Sequence, residues 1–164
     1  MVYTIKDIAA EAEVSAAAVS LVLNNKPCRI ADKTRRRILE IADKHHYAPN
    51  LSARALVLRE SKTLGLIIPD ISNPYFSELA KGVEREAQRI GYSVIFCNSR
   101  DDARKDLDNF KLLLGRQVDA VVLVSSIEDE DTAIANEFNH LATANGVPVV
   151  LFDRQVIGGN YDTV

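Results

Sequence analysis

Apolar positions change their period along this chain, and each change marks a new part. Up to His46 they recur at helical spacing. Ile5, Ile8, Ala9 and Ala12 predict a short helix capped by Thr4, and Val19, Val22 and Leu23 predict a second, capped by Ser15. Only Glu13 and Val14 lie between them. A third helix, about residues 32–46, presents Ile38, Ile41, Ala42 and His45, with Tyr47 closing a small core over Ala9 and Val19. Pro49 ends that region and Asn50 caps a short apolar stretch, 51–58, which reads as a helix with no core of its own. Isolated helices of that length are marginal in water. From Thr63 the pattern becomes buried-strand runs at 64–68, 94–97, 120–124 and 149–152. Amphipathic helices at about 75–90, 104–115 and 131–145 separate them. Such an alternation predicts a parallel sheet covered on both faces. The expected fold class is α followed by α/β: a three-helix headpiece over 1–48, a linking helix over 49–60, and a βαβ core over 61–164.

The second helix carries an unusual outer face. Ala17, Leu21 and Asn24, with Ala16 and Ser20 alongside, put no charge there. Two short helices so tightly joined read as a helix-turn-helix, whose second helix enters the DNA major groove.

The net charge of −3 argues against nucleic acid on its own, but the average hides an asymmetry. Residues 1–60 carry 10 Lys/Arg against 7 Asp/Glu, and residues 61–164 carry 10 against 16. A basic head on an acidic body suits a DNA-binding module joined to a domain that must not stick to DNA. No apolar run is long enough to span a membrane, and the opening residues lack the pattern of a secretion signal. Cys28 and Cys97 match no metal-ligand spacing and read as free thiols in a reducing cytosol. Arg35, Arg36 and Arg37 read as a solvated face with one or two side chains near phosphate. His45 and His46 diverge on their helix, so they suit its negative end better than a metal. The run Glu128-Asp129-Glu130-Asp131 reads as a solvated loop and helix start. No glycine-rich phosphate loop follows any strand, and no nucleophile, base and orienter assemble, so neither a cofactor, a metal nor catalysis is expected. Ligands of such sheets collect at the carboxyl ends of the strands, here 69–76, 98–101, 125–126 and 153–154. Polar groups beside Tyr75 and Phe76 suit a sugar or another small polar ligand.

Thr4-Ile5-Lys6-Asp7-Ile8-Ala9, then Val14-Ser15, Val19-Ser20, Val22-Leu23-Asn24 and Tyr47-Ala48-Pro49-Asn50, resemble the lactose/galactose-repressor (LacI/GalR) family, in register from the N-terminus essentially to Val164. The resemblance implies a bacterial, cytoplasmic, nucleoid-associated regulator. Its parts would be a DNA-binding headpiece, a hinge helix, and a core like one subdomain of a periplasmic binding protein. Its partners would be double-stranded operator DNA, a second copy of the chain, and a sugar-like effector in full-length relatives. Thr4, Ser15, Ser20, Asn24 and Thr34 would contact phosphates or base edges, with Ala16, Ala17 and Leu21 facing bases. In the hinge, Asn50, Ala53 and Arg54 would meet DNA, and Leu56 would wedge into the minor groove and kink the duplex. Tyr75, Phe76, Ser125, Ser126 and Asp153 fall near positions lining the family's effector cleft.

Three departures from the family pattern carry information. Ala16, Ala17 and Leu21 stand where polar base-reading side chains are usual; they can touch thymine methyls but cannot make bidentate hydrogen bonds. Glu13 stands where Gly or Asn is common, at a cost of roughly 1 kcal/mol if its backbone is left-handed. Relatives also continue past Val164 through a second subdomain. The expectation is therefore a chain cut within its regulatory core, holding one lip of the cleft, without effector response and inclined to self-associate through 61–164. The alternatives are a relic acting through weak binding or mixed dimers, and a small-molecule-binding protein of the periplasmic type. The last would carry a secretion signal and no headpiece.

Overall fold

The structure, a computed structural model, describes residues 3–48 and 60–164, and they fall into two compact units. In the first, α1 (Ile5–Ala12), α2 (Ala16–Leu23) and α3 (Asp32–Lys44) enclose one small core. Ile8, Ala9, Ala12, Val19, Val22, Ile38, Ile41 and Ala42 are buried together, which are the stripes read from the sequence. A capping box opens α1: Thr4 Oγ1 accepts from the Asp7 N–H at 3.4 Å, and the Thr4 N–H donates to Asp7 Oδ2 at 2.8 Å. Tyr3 stacks on His45, ring centroids 3.9 Å apart, and donates its hydroxyl to Glu11. Glu11 also accepts from Lys44 Nζ at 3.1 Å. The Tyr3 bond first, and the Lys44 bond second, hold the Glu11 carboxyl down at about 2.

The second unit is built on a parallel sheet of β1 (Thr63–Ile68), β2 (Ser93–Asn98), β3 (Ala120–Leu123), β4 (Val149–Leu151) and β5 (Asp162–Thr163), in the order β2-β1-β3-β4-β5. Between them run α4 (Pro74–Arg89), α5 (Ala103–Gly115) and α6 (Thr132–Asn145). Successive strand residues point to opposite faces. Leu66, Ile68, Val122 and Val124 therefore pack with Phe76, Leu79 and Val83 of α4. Ile67, Val121 and Leu123 pack with Leu107, Phe110, Leu113 and Phe138 on the other face. Gly65 shows how closely α5 is drawn down: a Cβ there would lie 2.5 Å from Leu113 Cδ1. The sheet is covered on both faces, as the runs of apolar residues predict. β5 has no sequence counterpart, being two exposed polar residues.

Because β1 leads outward to β2 on one side and β3 lies on its other side, the strand order reverses at β1/β3. In open sheets of this kind the carboxyl ends at such a reversal are where ligands bind. Among the described residues no helix is long and apolar enough to cross a membrane. The hinge expectations at Asn50, Ala53, Arg54 and Leu56 lie outside the described residues.

Candidate functional site

In the first unit the chain turns between α1 and α2 through Glu13, whose backbone is left-handed at φ 58° and ψ 43°. The bond from Val14 N–H to Ala9 O, 3.0 Å, closes that turn. Ser15 then caps α2, its Oγ accepting the Ala18 N–H at 3.2 Å. With Val19 and Val22 buried against α1 and α3, the opposite face looks outward. Ala17 and Ser15 are exposed, and Ala16, Ser20, Leu21 and Asn24 are half-buried. Ala16 is turned partly into the core. Asn24 is folded back, its amide donating to Ser20 O at 2.7 Å. Thr4 is exposed at the start of α1 and Thr34 half-buried in the first turn of α3.

The three consecutive arginines divide by task. Arg35 Nη2 reaches Cys28 Sγ at 3.3 Å, and Arg37 Nη2 donates to Glu11 O at 2.8 Å. Arg36 is exposed and its side chain makes no hydrogen bond or ion pair among the described residues, and neither do the side chains of Lys26, Arg29 and Lys33. Lys26, Arg29 and Lys33 are cations that sequence reasoning passed over. Their signal was local: they cluster between α2 and the start of α3.

In the second unit the strand ends form a shelf. Asn73 Oδ1 accepts the Tyr75 N–H at 3.0 Å, starting α4 with Pro74 in its first turn. Tyr75 is 52% exposed and meets Phe76 edge-on at 5.3 Å and Phe152 at 6.5 Å. Phe76 itself is turned into the core against Leu66, Ile68 and Val124. Ser125 and Ser126 are buried and their polar atoms are committed: Ser125 Oγ accepts the Ile127 N–H at 3.0 Å, and Ser126 Oγ lies 3.1 Å from Ser99 Oγ. Asp153 is exposed, with a left-handed backbone at φ 68° and its N–H on Val164 O at 3.0 Å. Of the five residues expected at the cleft, Tyr75 and Asp153 thus present side chains to solvent, whereas Phe76, Ser125 and Ser126 are buried.

Two residues join the shelf that were not among the five expected ligand contacts, although Arg154 lies in the strand-end segment 153–154 read from the sequence. Arg154 Nη1 bridges Asp101 Oδ1 at 3.1 Å and Ser125 O at 3.3 Å. Asp106, completely buried, accepts the Ser126 N–H at 2.5 Å through Oδ2, while Oδ1 has no partner among the described residues. Burial pushes its carboxyl up to about 6, against the lowering effect of that bond. An aromatic face, a guanidinium and open carboxylates can stack on and hydrogen-bond a small polar ligand.

Residues 4–50 match the family described as bacterial regulatory proteins, lacI family, and residues 64–164 match a periplasmic binding protein domain. Catabolite control protein A of Staphylococcus xylosus is 39% identical over 151 residues, 92% of this chain and 44% of that protein. The transcriptional regulator DegA of Bacillus subtilis is 37% identical over 134 residues, 82% of this chain and 40% of that protein. The chain thus spans less than half the length of these relatives. A crystal structure of a LacI-family transcriptional regulator from Silicibacter pomeroyi superposes on 99% of the chain and 46% of its own, with a TM-score of 0.74 at 25% identity.

Proposed function

The chain belongs to the LacI family of bacterial regulatory proteins, and from that premise we propose that it is a sequence-specific DNA-binding transcriptional regulator. It represses a sugar or related catabolic operon from the cytoplasm and acts as a regulator rather than an enzyme. The observation that carries this reading is the outer face of α2, solvent-accessible in part and uncharged, followed along the chain by Lys26, Arg29, Lys33 and Arg36, exposed cations whose side chains have no partner among the described residues. Charged groups are what a solvated helix face normally displays; their absence from the face and their supply by the segment that follows it suit a helix set in a groove with phosphate contacts made alongside. Two copies bind a pseudo-palindromic operator, each setting α2 in the major groove. Ala16, Ala17 and Leu21 face bases. Thr4, Ser15, Ser20, Asn24 and Thr34 meet phosphates or base edges, Asn24 by releasing its bond to Ser20 O. For Asn50, Ala53 and Arg54 as minor-groove contacts, and Leu56 as the wedge, the support is the family resemblance.

The strand-end shelf is the effector side of the same device. Tyr75, Arg154, Asp101 and Asp153 offer it to a small, polar, sugar-like molecule, with Phe76, Ser125 and Ser126 buried. Selection of bound sites from random double-stranded DNA with the purified chain tests the DNA reading. Enrichment of two inverted half-sites about one helical turn apart is the expected outcome. A pool that stays random after selection would contradict it.

A further inference from the structure

At the end of the sheet opposite the shelf, residues 60–62 and the first residue of β1 are tied down far more densely than a strand entry requires. Asp119, half-buried at the start of β3, accepts the Ser61 N–H at 2.7 Å and the Ser61 hydroxyl at 2.9 Å through Oδ1. Its Oδ2 accepts the Lys62 N–H at 2.9 Å. Its own N–H donates to Thr63 O at 2.8 Å. Ser61 Oγ in turn accepts the Thr63 N–H at 3.2 Å. Lys62 is held left-handed at φ 55°, with its ammonium paired to Glu60 and 4.6 Å over the Tyr92 ring. The Tyr92 hydroxyl donates to Glu60 Oε1 at 3.2 Å. The bond to Lys62 keeps the Glu60 carboxyl below its ordinary value. A non-glycine residue keeps a left-handed backbone only when its surroundings over-determine it. One carboxylate accepting from two backbone amides and a hydroxyl supplies that.

We infer, on the reading that two headpieces of a dimer share one operator, that Asp119 is a positioning residue: it clamps residues 60–63 to the base of the sheet and thereby fixes where each arm leaves the core. Along the chain, residues 1–59 join the core through this knot. Opening it adds slack to each arm. Slack lowers the effective concentration of the second headpiece at its half-site and relaxes the spacing between half-sites that the pair accepts. Asp119 therefore governs tolerance of operator spacing, without touching DNA.

The test uses the full 164-residue chain, the DNA selected above, and the same duplex with one base pair inserted between the half-sites. That insertion rotates one half-site by about 35°. The wild type is expected to lose about tenfold or more on the lengthened duplex, and Asp119→Asn about threefold or less. Asn keeps the volume but turns an amide N–H₂ towards the Lys62 or Ser61 N–H. Amide exchange gives an independent readout: Ser61 and Lys62 are expected to lose protection in the variant, with the core strands unchanged. Ser61→Ala removes the two hydroxyl bonds of the knot, to Asp119 and from the Thr63 N–H, without altering the carboxylate, and is expected to fall between the two should Asp119→Asn fold poorly. A variant with the wild-type spacing penalty, or with Ser61 and Lys62 still protected, overturns the inference alone. A wild type that enriches no paired half-sites overturns it together with the operator reading.

Discussion

Glu13 and Ala17 are where single residues weigh most. Glu13 holds φ 58° with only an exposed 3.5 Å pair to Arg37 in return, and such surface pairs contribute little. A left-handed non-glycine residue costs roughly 1–2 kcal/mol, partly offset by the greater unfolded freedom of glycine. Glu13→Gly is therefore expected to raise headpiece stability by up to about 1 kcal/mol in urea titration; a loss of stability would show the side chain matters more than the backbone. Ala17 is exposed with a single methyl to offer. On the proposed reading it would meet thymine methyls, each contact contributing about 0.8 kcal/mol, or about fourfold in affinity. Replacing the thymines of the selected half-site with uracil should reduce affinity by at least that factor. Unchanged affinity would exclude an apolar readout. Both residues were legible in the sequence, because Glu13 fills a two-residue turn between capped helices and Ala17 lies opposite Val19 and Val22. Asp106 was not. An acidic residue in the first turn of an amphipathic helix normally faces water, and only the tertiary approach of Ser126 buries it.

Elements were read well where apolar residues repeat and poorly where they do not. The caps Thr4 and Ser15 and the runs at β1 to β4 announced their helices and strands. β5, two exposed polar residues, gave no signal, since its pairing with β4 comes from the sheet rather than from local preference. Asp119 was invisible for a related reason: its partners lie 57 and 58 residues away in sequence. The strand-end shelf was found as a place before it was found as a set of side chains. Alternation alone does not tell that Phe76 turns inward while Tyr75 stays out. At α5, burial of Asp106 makes a pH prediction. Its folded pKa of about 6 lies above the unfolded value, so the protonated form favours the fold. Its contribution is fully present below about pH 4 and is lost as pH rises through about 6. The difference amounts to roughly 2–3 kcal/mol. Asp106→Asn should flatten the fall in core stability between about pH 4 and 6.5, measured by urea midpoints. An unchanged pH dependence would show that another group sets it.

Across the whole chain the charge is divided as the work is. The first sixty residues are net basic and the remainder net acidic, so attraction to phosphate is confined to the unit with the uncharged helix face. Electrostatics alone would leave this protein a weak, indiscriminate DNA binder. The account requires more: α2 must read sequence, with the loop and α3 cations only holding it in register. The decisive measurement is the affinity of the chain for the selected duplex against that for the same duplex with both half-sites scrambled, at one fixed, near-physiological salt concentration. A specific regulator is expected to prefer its site by about a thousandfold or more. Equal affinities for the two duplexes would contradict the account and leave only a basic headpiece resting on phosphate.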